Sequence, residues 1–171
     1  MKKIIFGAKD IFKNALLITA AGAFFGFCAK MADIYTANLA NVFSGMSVWI
    51  FICVFICMKS KTPPKAVANV FCFCSGMLCC YYITAHFTHS RYHLWAAAGW
   101  AMFARFTPVM AFICRHRAQN DVWARLIEYG IITAVFVLTV LFYDKVRTAD
   151  IVFAVMTVMS VENERKKRKG G

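Results

Sequence analysis

The chain has 171 residues, of which 61% are apolar, 16% aromatic and only 16% charged, and its formal net charge is +12. This is far from the composition of an average soluble domain, and the segments between apolar runs are too short to hold a second domain. The basic balance does not indicate a nucleic-acid partner, because Lys and Arg sit in short clusters between apolar runs instead of gathering on one solvated face.

The N-terminus, MKKIIFGAKDIFKNALL, has a basic start like that of a signal peptide, but no clean small-x-small cleavage site follows the apolar run. It reads as a retained first helix, roughly Ile11 to Ala29. Ala15, Thr19, Gly22, Gly26 and Ala29 recur at three- and four-residue steps and share one face. Such a stripe lets helix backbones approach closely in lipid, where packing drives association. It is read as a helix-packing face within the chain's own bundle or as a docking face for another subunit. A short turn, Lys30 to Tyr35, follows, with Lys30 and Asp33 cancelling.

The second helix is expected from Thr36 to Met58. Asn38, Asn41 and Gly45 lie on one face, and amides at membrane depth should face protein or water. Next comes the stretch that organises the chain, Val48 to Ala85: two uncharged apolar runs flank KSKTPPK. Pro63 and Pro64 cannot continue a helix, so the runs form a hairpin on a basic turn. The third helix is expected from Ala66 to His86. Its small face holds Ala68, Cys72, Ser75, Gly76 and Cys79, continued by Tyr82. His86, His89 and His93 have a spacing that would share a helical face. No neighbouring carboxylate orients them, so they read as a polar loop and no metal site is assigned.

The fourth helix, Leu94 to Cys114, carries Arg105 at its middle. A guanidinium there costs about 2.5 kcal/mol or more, and no Asp or Glu lies at matching depth elsewhere in the chain. Pro108, three residues on, frees the carbonyl of Ala104 and is expected to kink the helix. Three accounts are open for Arg105. It bonds freed carbonyls and amides of other helices, or it holds a small anionic solute in a wet cavity with Asn38, Asn41 and Tyr82, or it pairs with a carboxylate on a membrane-protein partner. In each it is expected to face the protein interior.

A fifth helix is expected from Leu126 to Tyr143, then a balanced turn from Asp144 to Asp150, and a final short apolar run, Ile151 to Val161. The tail ENERKKRKGG reads as a disordered basic cytoplasmic segment, residues 162–171, after a single transmembrane domain, residues 1–161. With six spans, fifteen Lys/Arg fall on the inner side and four on the outer, which with Arg105 accounts for all 20. If the last run did not cross, the split would be ten to nine. The expectation is therefore an all-α, polytopic transmembrane bundle of six spans with both termini cytoplasmic.

The eight cysteines all fall inside or at the ends of apolar runs and none has metal-site spacing, so they read as polarisable packing residues in a reduced setting. No nucleophile–base pair, paired intramembrane carboxylates or phosphate-binding glycine loop is present. The reading is a non-enzyme with no cofactor.

The segments DIYTANLANVFSGMSVWI and SKTPPKAVANVFCFCSGMLCCYYITA, the aromatic-rich fourth helix and the late YDKVR turn resemble a family of small multi-pass membrane proteins from Gram-positive, mostly anaerobic bacteria, which has no assigned activity. The resemblance covers most of Asp33 to Asp150 and implies a bacterial cytoplasmic membrane. Two functions are open. One is an accessory or structural subunit acting through helix faces on a membrane-protein partner or a second copy. The other is a solute-binding or transport subunit, similar in size and span count to the substrate-binding subunits of energy-coupling-factor transporters.

Overall fold

A computed structural model describes residues 2–36, 43, 46–90, 94–117, 122–123, 126, 129–130, 133, 137 and 148–169. Among the described residues there are five helices and no strand: α1 (Lys2–Tyr35), α2 (Met46–Lys59), α3 (Pro63–Phe87), α4 (Leu94–Arg117) and α5 (Thr148–Lys169). Most of the expected fifth helix, Leu126 to Tyr143, lies outside the described residues.

Among the described residues three segments are long and apolar enough to cross a membrane, Asn14–Tyr35, Pro63–Phe87 and Ala97–Arg115, where six were expected along the whole chain. For α2 and α5 the shortfall has a physical basis. With 14 residues, α2 rises only about 21 Å, short of a hydrocarbon core of about 30 Å. The apolar part of α5 is no longer, and its last turns are dense in charge.

Helix ends follow local chemistry. Pro63 occupies the first position of α3, where its missing N–H costs nothing, and Thr62 before it is extended, with φ −134° and ψ 154°. The helix therefore begins at the prolines themselves, three residues before the expected start. At its other end His89 has φ 48°. Ser90 N–H donates to the carbonyl of Ala85 (3.1 Å) and His89 N–H to that of His86 (3.2 Å), the paired bonds of a left-handed helix stop. Histidine tolerates this conformation better than most side chains, so His89 has a structural role in ending α3.

Two segments expected to be irregular are helical. The turn from Lys30 to Tyr35 is the last part of α1. Lys30 Nζ pairs with Asp33 one turn on, at 2.7 Å, so the two charges satisfy each other without breaking the helix. The tail, expected to be disordered, continues α5 through Lys169. Its Glu, Lys and Arg are strong helix formers, Glu162 and Lys166 pair at 3.6 Å, and basic residues favour a helix C-terminus.

The helix α3 is central and packs on α1, α2 and α4, while α2 also packs on α4 and α5. Gly22 and Gly26 meet Phe73 and Met77 in that order, so α1 and α3 run parallel. The turn at 60–62 reverses α2 against α3. Trp49 meets Trp100 and Cys57 the Ala111 carbonyl, and Ser47 meets Asp150 and Phe51 Phe153, which sets α4 and α5 parallel to α2.

At the α1–α3 seam the backbones touch. A Cβ at Gly22 would fall on the carbonyl oxygen of Phe73, one at Gly26 on that of Met77, and one at Gly76 on that of Thr19. The Gly22 and Gly26 stripe is thus occupied inside the chain. On α3, Gly76 is the member of the expected small face that enters the seam, whereas Cys79 is exposed.

Trp49 anchors the core. It is 2% exposed, lies edge-on to Trp100 at 6.4 Å between centroids and packs against Phe73 at 6.5 Å. Its indole N–H donates to the Phe43 carbonyl at 2.7 Å, so its one polar atom is satisfied.

Candidate functional site

The expected ligand site was Arg105 with Asn38, Asn41 and Tyr82. Asn38 and Asn41 lie outside the described residues. Tyr82 is half-buried at the end of α3, with its ring edge-on to Tyr81 at 5.2 Å. Arg105 is exposed, which overturns the expected interior position. The buried face of α4 holds Ala104, Thr107, Ala111 and Cys114, and Arg105 falls on the other side.

The reason lies one turn away. Pro108 has no N–H for the carbonyl of Ala104, and the Thr107 hydroxyl donates to that carbonyl instead, at 2.8 Å. The acceptor that would have drawn the guanidinium inward is already satisfied, and α4 runs on through Pro108. Among the described residues, no carboxylate pairs with Arg105.

Buried polar groups cluster elsewhere. Lys30, fully buried, pairs with Asp33 and sits over the Tyr81 ring, 5.0 Å from its centroid, while the Tyr81 hydroxyl donates to Asp33 at 3.2 Å. This three-residue cluster ties the ends of α1 and α3 together. Asp150 was expected in a solvated turn but is buried, and it accepts a hydrogen bond from Ser47. Both residues lie in the first turns of their helices. The carboxylate therefore sits where two positive helix ends, those of α2 and α5, converge. The sequence signal for Asp150 was its step to Ala154, Thr157 and Val161, all buried on one face of α5.

At the opposite end, Asn69 Nδ2 donates to Ser60 Oγ at 3.1 Å and Arg115 Nη2 to the carbonyl of Lys61 at 3.1 Å, which pins the basic turn. In the core, the Cys53 and Cys74 thiols lie 3.4 Å apart, a pairing across α2 and α3 that sequence spacing alone did not reveal. All eight cysteines are free, and among the described residues no group of three His, Cys, Asp or Glu could hold a metal ion. His86 and His89 are exposed, and His93 lies outside the described residues.

These buried polar groups pair locally, except Arg115 Nη1, which is buried without a hydrogen-bond partner, and Arg105 is a charge placed on an apolar outer face. No family model, curated protein or solved structure matches the chain.

Proposed function

We propose that this chain is an integral protein of a bacterial cytoplasmic membrane and works as an accessory or structural subunit, through helix faces offered to other membrane proteins. The observation that carries this reading is the outward placement of Arg105 on a membrane-length apolar helix. A solute site would require the guanidinium to line a cavity. An outer face suits contact with another protein, and the small-residue stripe of α1 is already taken up by α3.

In the finer form of this proposal six helical elements enter or cross the bilayer and both termini are cytoplasmic. The helix directions support it. The first helix, α1, leaves from the end of the bundle that carries the Lys59–Lys65 turn, and α5 runs back toward that end. The basic clusters at Lys2–Lys13, Lys59–Lys65 and Arg165–Lys169 would then share one side, as Lys/Arg bias requires. The shortness of α2 is compatible with bilayer thinning or burial among neighbouring helices.

Paired reporter fusions test it. A fluorescent protein fused after Lys169 should be bright in cells, and alkaline phosphatase inserted between residues 37 and 42 should be active. Phosphatase activity after Lys169 would place that end outside and leave the last apolar run at the interface.

A further inference from the structure

We infer that the outer face of α4 centred on Arg105 docks a membrane-spanning helix of a different protein, one that carries a carboxylate near its middle. This inference rests on the membrane reading above and names the partner's chemistry. Ala98, Ala101, Met102, Arg105 and Val109 are spaced by three, one, three and four residues, so they share a face, and all five are exposed. Met102 is 61% and Val109 53% exposed.

The depth of Arg105 excludes the usual escape. Within the apolar segment Ala97–Arg115, it stands eight residues from one end and ten from the other. At about 1.5 Å per residue that is roughly 12 Å and 15 Å, the middle of the hydrocarbon core. Arginines that snorkel to headgroups sit near helix ends, and one at this depth faces protein or water. A lipid phosphate is therefore a poor match, and a carboxylate at the same depth is a good one, because the planar guanidinium fork takes both its oxygens.

A second copy of the chain does not supply that carboxylate. Asp33 is taken by Lys30 and Tyr81 at the end of α1, and Asp150 is buried against Ser47. Glu128 and Asp144 flank an apolar stretch in the sequence, and the remaining four acids lie in the charged segments at 10, 121, 162 and 164. Two copies meeting at this face would set arginine against arginine. The small side chains of Ala98 and Ala101, beside the charge, leave room for a close helix approach.

The test uses the full-length protein in phosphatidylcholine vesicles with labelled single-span Leu/Ala peptides that carry Asp, Leu or Lys at the centre, read by energy transfer. The Asp peptide should associate about ten-fold more tightly than the Leu peptide, within the range of interhelical polar bonds in membranes. Arg105→Leu should abolish that preference, Arg105→Lys should keep part of it, and Arg105→Glu should transfer it to the Lys peptide. The exposed, unpaired position of Arg105 means these variants should fold, which helical circular dichroism would check.

Equal association of the Asp and Leu peptides would overturn the inference, as would a preference that survives Arg105→Leu. Abolition of the preference by added phosphatidylglycerol would assign the arginine to lipid phosphate, and self-association of the protein lost in Arg105→Leu would assign it to a second copy. Either result overturns the inference. Alkaline carbonate extraction of the protein from membranes separates the two levels. A protein that resists extraction but shows no Asp preference refutes the partner alone, whereas a protein that is extracted refutes the membrane reading as well.

Discussion

Replacing Gly26 with leucine should detach α1 from α3 and give the largest loss of stability of any single change considered. In the native seam the space that a Cβ would need is filled by the Met77 carbonyl, which belongs to a helix backbone and has no rotamer through which to withdraw. Overpacking by flexible neighbours costs about 1–3 kcal/mol, and a backbone clash should cost roughly 3 kcal/mol or more. Separation would also uncover Lys30, whose burial depends on Tyr81 across the same interface. Gly22→Leu should behave alike, because its Cβ meets the Phe73 carbonyl. Gly130 is the control. Nothing lies within 4 Å of its would-be Cβ, so Gly130→Ala should be neutral or stabilise by up to about 1 kcal/mol through helix propensity. Thermal unfolding in mild detergent, followed by helical circular dichroism, measures all three. Equal melting of Gly26→Leu and wild type would show that the seam does not form.

Trp49→Ala should also destabilise strongly, by about 3–5 kcal/mol. In lipid the apolar driving force between helices is small, so the loss is chiefly one of packing. Trp49 joins three helices, α2 through its own backbone, α3 through Phe73 and α4 through Trp100. The truncation would leave a hole where these elements meet and free the Phe43 carbonyl that its indole now bonds. Trp49→Phe, which keeps most of the ring but not the N–H, should lose about 1–2 kcal/mol, the cost of a missing hydrogen bond and a smaller void. Urea or SDS titration in the same detergent would rank the variants. A Trp49→Ala protein as stable as Trp49→Phe would contradict the role given to the three-helix junction.

What could be read from the sequence was what one element decides for itself. The helix break before Pro63, the apolar lengths of α1, α3 and α4, and the small face at Gly22 and Gly26 follow from proline sterics, run length and helical periodicity, and each is local. What was not legible depended on which element lies opposite. Lys30 looks like a surface charge until Tyr81 is brought over it, and Asp150 looks like a turn residue until Ser47 is placed against it. Cys53 and Cys74 are 21 residues apart and meet only because the hairpin folds back.

Arg105 is the instructive case. The carbonyl that Pro108 frees beside it was legible. The side of the helix it occupies was not, because the neighbouring hydroxyl of Thr107 satisfies that carbonyl first. Outcomes of this kind turn on competition between adjacent donors, which spacing alone does not rank.

The central claim is that this is a membrane-embedded bundle whose apolar outer faces, including that of Arg105, meet lipid or a partner while α1–α3 and the Trp49 junction are closed. Photolabelling in intact membranes with a lipid-phase carbene reagent, read residue by residue by mass spectrometry, tests it most directly. Label should appear at Leu17, Phe24, Phe71 and Met110, which are exposed, and should be missing at Trp49, Val70, Phe73 and Met77, which are buried. Label on Phe73 and Met77 equal to that on Phe71 would contradict the fold, and no label on any of these residues would contradict embedding in the membrane.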